Sequence, residues 1–184
     1  MDCTLQDATT PYGTLVVSRT GDMKNLNHYV AIYKAQLDKG DILIAYNQLV
    51  KFVMKLRVDL IKSLSKQYSF TGILHGYMDY TYFYYSNDFL KKKKLKLGLI
   101  LNHSEMRFEI WLLGNTMPIQ KKYWELLKTT KWNEDKTEMP KYSILVAVIE
   151  NRPDFDNLSL LSEKIEKKLV EQSDEIISEI KKLI

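Results

Sequence analysis

The sequence predicts an α+β domain in which helices pack on a mainly antiparallel four-stranded sheet, in the order ααβββαβα. Three observations carry this expectation. Apolar residues recur at helical spacing near both ends of the chain, two central segments alternate strictly, and a short apolar run lies between polar stretches.

Residues 1–22 differ from the rest, with turn chemistry at Thr9-Thr10-Pro11-Tyr12-Gly13 and one short apolar run, Leu15-Val16-Val17. They read as an N-terminal extension, and Met23 reads as a natural start for a single α+β domain over 23–184. From Leu26, the spacing of Tyr29, Val30, Tyr33 and Leu37 predicts a helix that stops at Lys39-Gly40. Asp41 can cap a longer second helix with Ala45, Leu49, Phe52, Val53, Leu56, Leu60 and Leu64 on one stripe.

Between Thr71 and Tyr85 the chemistry turns to strand, because aromatic and β-branched residues suit a half-buried pleated surface. In this strand Tyr80, Tyr82 and Tyr84 share one face, and Tyr77, Asp79, Thr81, Phe83 and Tyr85 the other. Leu95–Asn102 and Met106–Leu113 read as a hairpin. Leucines occupy odd positions of the first arm, and Met106, Phe108, Ile110 and Leu112 even positions of the second, so residues paired across it must sum to an odd number. A four-residue loop over 102–105 follows, since His103-Ser104 lacks the chemistry of a two-residue turn. That register sets Gly98 beside Glu109, Ile100 beside Arg107 and Lys96 beside Trp111.

Pro118 suits the first turn of a helix carrying Ile119, Tyr123, Leu126 and Leu127. The run SILVAVI, over 143–149, is the right length for a buried strand. Asp156 can cap a final helix with Leu158, Leu161, Ile165, Leu169, Ile176, Ile180 and Leu183 on one face, interrupted by Gln172-Ser173-Asp174.

Composition narrows the function classes. The 184 residues, 45% hydrophobic and 27% charged, are ordinary for a soluble globular protein. Cys3 is the only cysteine, and with His28, His75 and His103 scattered, neither a disulfide nor the usual zinc ligand set is expected. No apolar run reaches the ~18 residues of a membrane span, and the N-terminus lacks the pattern of a signal peptide. A cytoplasmic setting is expected, with no cofactor and no membrane partner.

The positive charge lies in the middle of the chain, where residues 23–130 carry 17 Lys/Arg against 8 Asp/Glu; residues 131–184 carry 9 against 12. A basic body can attract nucleic acid, although solvated lysines also serve solubility alone.

The stretches GYMDYTYFYY, LKKKKLKLGLILNH, RFEIWLLG and QKKYWELLK resemble a family of uncharacterised bacterial proteins classified only as a domain of unknown function. The resemblance covers roughly Met23 to Ile184 and implies no catalytic assignment. The element order has a remoter, fold-level likeness to the core of the PD-(D/E)xK nucleases.

The nuclease likeness implies two acids on a divalent cation and a lysine near the attacking water. Asp79, Glu109 and Lys96 are the available groups, but Trp111 stands where the lysine of the motif should follow Glu109. The competing reading makes Glu109 a cross-strand ion-pair partner of Arg107 or Lys96. The strand aromatics read as core, as the lining of a small-molecule pocket, or as a base-stacking surface. Lys91, Lys92, Lys93 and Lys94 read as a solvated loop or as phosphate contacts.

Together these readings favour a non-catalytic ligand-binding or regulatory module, with a site formed by Tyr77, Asp79, Lys96, Arg107, Glu109 and Trp111. A small molecule or a protein is the expected partner. The alternatives are a divergent Mg²⁺-dependent nuclease or nucleic-acid binder using the four lysines, and an interaction domain that oligomerises through its last helix.

Overall fold

The structure, a computed structural model, describes residues 25–184, so the expected N-terminal extension lies outside the described residues. The chain divides into two compact units, meeting between Ile42 and Leu43.

The first unit holds α1 (Leu26–Lys39). Its start is fixed by Asn25, whose side chain accepts from the His28 backbone N–H at 3.1 Å. Its end is fixed by Gly40 at φ 82, a left-handed stop that glycine adopts without strain. The helix is as expected, and the apolar positions whose spacing predicts it, Tyr29, Val30, Tyr33 and Leu37, are all exposed; no residue of α1 is buried.

The helix α2 (Asp41–Leu64) begins at the unit boundary. In the second unit it is followed by β1 (Ser69–Phe70), β2 (Leu74–His75), β3 (Tyr80–Ser86), α3 (Asp88–Lys92), β4 (Leu95–Asn102), β5 (Arg107–Gly114), α4 (Met117–Leu127), β6 (Leu145–Glu150) and α5 (Leu158–Leu183). The α+β class with an antiparallel sheet is as expected, but the sheet has six strands rather than four. Four form the body in the order β3-β4-β5-β6, while the short β1 and β2 both pair with β3. Two-residue strands give no periodicity to read. The single strand expected over 71–85 is accordingly shorter, and the turn over Gly76–Asp79 precedes it.

The extra helix α3 was hidden by its lysines. Asn87 caps it by accepting from the Leu90 N–H at 2.9 Å, and Leu90 is its one buried residue. The tetralysine expected in a loop therefore spans the last residues of α3, its cap Lys93, and Lys94 at φ 57.

Alternation sorts the sheet into two faces. Thr81, Phe83 and Tyr85 of β3 face the same side as Leu97, Leu99 and Leu101 of β4, and as Phe108, Ile110 and Leu112 of β5. This side carries the main core, covered by Phe52, Val53, Leu56 and Leu60 of α2 and by Leu161, Ile165, Leu169 and Ile176 of α5. Of the polar interruption of α5, only Ser173 turns into that core. Ser173 is fully buried and shares a 2.8 Å hydrogen bond with the Tyr85 hydroxyl, so the helix runs on unbroken.

The hairpin loop has the expected four residues but sits one position later, over 103–106. Asn102 pairs with Arg107, Ile100 with Glu109, Gly98 with Trp111 and Lys96 with Leu113, correcting the expected pairings by two residues while keeping their parity. Asn102 sets this register, because its side chain accepts from the Glu105 N–H at 3.1 Å and closes the turn, while Met106 takes φ 46. At the outer strand, Phe108 pairs with Glu150 and Glu109 with Val148, leaving Ile149 as an extra residue in a bulge.

Candidate functional site

The other face of the sheet is built from Tyr80, Tyr82 and Tyr84, Lys96, Gly98 and Ile100, Arg107, Glu109 and Trp111, and Val146 and Val148. Its apolar cluster joins Ile100, Trp111 and Leu113 with Tyr80, Tyr82, Tyr84 and Val146, and every member comes from a strand. Thus, in the second unit, the helices that join the main core lie on one side of the sheet, and aromatic rings line the other.

At the centre of this face lies a polar network. Glu109 is only 1% exposed. One carboxylate oxygen accepts from Arg107 Nε at 2.6 Å and from Asn102 Nδ2 at 3.3 Å. The other accepts from the Trp111 indole N–H at 2.7 Å. The alternation that placed Arg107, Glu109 and Trp111 on one face makes this possible, since side chains two apart on a strand stand side by side. A buried carboxylate is tolerable when its charge is paired and its lone pairs are filled, and here both conditions hold. Of the two ion-pair partners expected for Glu109, Arg107 is the one used. Asn102 was not anticipated, although its even position in β4 placed it on this face.

Around the network the rings interlock. Tyr80 meets Trp111 edge-to-face at 5.1 Å between centroids, and Tyr142 stacks on Trp111 at 6.2 Å with planes 12° apart. Tyr82 and Tyr84 make a further edge contact at 5.4 Å. Lys96 places its ammonium 4.1 Å from the Tyr84 ring centroid, and Lys141 lies 5.1 Å from that of Tyr142. Gly98 leaves the space over which the Tyr84 ring lies, for a Cβ there would come within 3.2 Å of the ring. Burial, and then the neighbouring Tyr82, push the Tyr84 phenol up to about 12, so it is a neutral hydrogen-bonding group at physiological pH. Tyr80 is shifted in the same direction by burial and by Glu109.

The remaining expected site residues lie at the margin. Asp79 belongs to the turn before β3, where its carboxylate accepts from the Tyr80 N–H at 2.8 Å and its carbonyl from the His103 N–H at 2.9 Å. A side chain at Gly76 would overlap that carboxylate, its Cβ falling 2.0 Å from Asp79 Oδ1. Tyr77 lies outside the strand and is 81% exposed. Beside this turn, His103 shares a 2.8 Å hydrogen bond with Thr81, and burial lowers its pKa against the opposing pull of Asp79. Lys91 and Lys92 project from α3, and a groove of about 620 Å³ between the end of α2, β1 and α3 includes Lys91 with Lys66, Tyr68, Phe70 and Asp88. That groove contains no other expected site residue.

Metal-dependent chemistry finds no support in the acid positions. Both oxygens of Glu109 are held by nitrogen donors, and the indole of Trp111 occupies the place of the nuclease motif's lysine. Among the described residues no three His, Cys, Asp or Glu side chains come together in a metal-holding group, and no helix is long and apolar enough to cross a membrane.

Comparison with known proteins places the chain by family. No curated protein and no solved structure matches it. The family model described as a domain of unknown function (DUF7000) matches residues 26–180, which includes all six strands, and the chain belongs to that family.

Proposed function

We propose that the protein is a non-catalytic binding module and that its binding surface is the aromatic face of the sheet. One observation carries this reading: among the described residues of the second unit, the helices that join a buried cluster do so on the opposite face, while this one collects Tyr80, Tyr82, Tyr84, Trp111 and Tyr142 around a charge-neutralised centre. Aromatic side chains with a polar end suit a surface that is wet when free and dry when occupied. The buried Glu109, itself paired with Arg107, fixes Trp111 through its indole N–H, giving the face a rigid centre. Commitment of Glu109 to three nitrogen donors leaves it neither a base nor a metal ligand, which favours binding over catalysis.

Heteronuclear NMR with a mixed library of aromatic, anionic and peptide ligands tests the proposal. Amide shifts are expected to concentrate on Tyr82, Gly98, Trp111 and Val146, and to vanish in Tyr142→Ala. Shifts confined to the groove beside α3, or none at all, would remove the sheet face as the binding surface.

A further inference from the structure

Building on that reading, we infer that the occupant of the aromatic face is a single-stranded nucleic acid, its bases on the tyrosines and its phosphates on the flanking cations. Three features select this class. Charge comes first: Lys96 stands on the face with its ammonium over Tyr84, whereas Glu109, the one carboxylate that the paired strands place there, is buried and has its charge balanced by Arg107. At the Lys96 end, where Leu113 is the cross-strand neighbour, the face therefore offers a cation to a ligand. Lys93 and Lys94 immediately precede β4 at that end. An anionic polymer gains from each such contact by releasing counterions.

Ring placement is the second feature. Tyr80, Tyr82 and Tyr84 repeat at every second residue of one strand, and Tyr142 lies flat against Trp111 with 42% of its surface exposed. Open antiparallel sheets with aromatics so placed stack about two or three bases, and stacking tolerates any sequence because every base has a π-face. Third, the phenol hydroxyls of Tyr80, Tyr82 and Tyr84 are donors and acceptors that can bond to base edges or phosphates alike. A duplex hides its base faces and fits none of this.

The proposal is tested by fluorescence anisotropy of the full chain with labelled oligothymidine and oligouridine of roughly ten nucleotides and with the corresponding duplex, over a salt series. The expected result is binding to one or both single strands, little to the duplex, and weakening with salt. Tyr142→Ala, an exposed position whose loss leaves the core intact, should reduce affinity about tenfold, as loss of one stacked base does. Lys96→Ala should make the salt dependence shallower. Equal affinity for the duplex, or binding unchanged in Tyr142→Ala, would overturn the inference by assigning the attraction to surface lysines. The same samples are read by amide NMR. Small ligands or peptides shifting the face while oligonucleotides do not would overturn this occupant alone; no shift of the face with any probe would overturn the binding module as well. A dimer in light scattering with the face buried between copies would replace nucleic acid by a second chain.

Discussion

The two faces of the sheet share the same strands and the same alternation, yet they are closed by different means. On one, Phe83, Leu97, Leu99, Phe108, Ile110 and Leu112 are essentially inaccessible and lie under helices. On the other, tyrosines, an indole and the Glu109–Arg107 ion pair cover the strands, and no helix among the described residues joins the apolar cluster. Aliphatic side chains have nothing to offer water and need a second layer; phenols and indoles can bury a ring and still satisfy their polar end. A sheet face can therefore remain open without being unstable, provided its polar groups are paired within the face itself.

That contrast is sharpened most by truncating one residue from each side. Leu99→Ala should destabilise the protein by about 2 to 5 kcal/mol, through lost burial and a cavity. Tyr82→Ala, half-buried on the other face, should cost about 1 kcal/mol. Urea unfolding of the two variants measures both, and equal losses would show that the faces are equally dependent on packing.

Next in size is Glu109→Ala, which leaves Arg107, Asn102 and Trp111 without their common acceptor. A loss of about 2 to 3 kcal/mol is expected, below that of a fully buried pair because Arg107 keeps some solvent and has Glu105 at 3.6 Å. A neutral effect in the same unfolding assay would mean that the network does not hold the face together. Gly98→Ala presses on Tyr84 and should cost about 1 kcal/mol, with the Tyr84 ring lifting away in its NMR shifts.

The smallest effect is one of pH. Burial holds the His103 pKa below its ordinary value of 6.5, so the folded state resists protonation more than the unfolded chain does. The stability this leaves intact above pH 6.5 is lost progressively as pH falls through the lowered folded pKa. His103→Gln should flatten that part of the stability profile.

Much of this was legible in the residues. The parity of Leu95, Leu97, Leu99 and Leu101 against Phe108, Ile110 and Leu112 identified the core face, and Gly40 and Pro118 marked helix ends that the structure shares. The register was displaced because alternation specifies parity only, and the hydrogen bond by which Asn102 closes the turn leaves no periodic trace. α3 was missed since one buried leucine among four lysines makes no stripe. Of the site, Lys96, Arg107, Glu109 and Trp111 were placed on one face by spacing alone. Asp79 was misplaced into the strand, for nothing local announces that the chain turns at Gly76 before β3 begins. Tyr142 lies outside every strand, so its stacking on Trp111 is a tertiary fact.

One detail of the main core sets a length scale for assembly. The buried stripe of α5 repeats leucine and isoleucine every three or four residues, and such a stripe would pack nearly as well if the helix slid along the sheet by one turn. Ser173 forbids the slide, because only one position brings its hydroxyl to Tyr85 and any other leaves two hydroxyls buried among alkyl groups. Tyr85 and Ser173 thus act as an index mark: 88 residues apart in the chain, they turn an otherwise slippery contact into one with a single address.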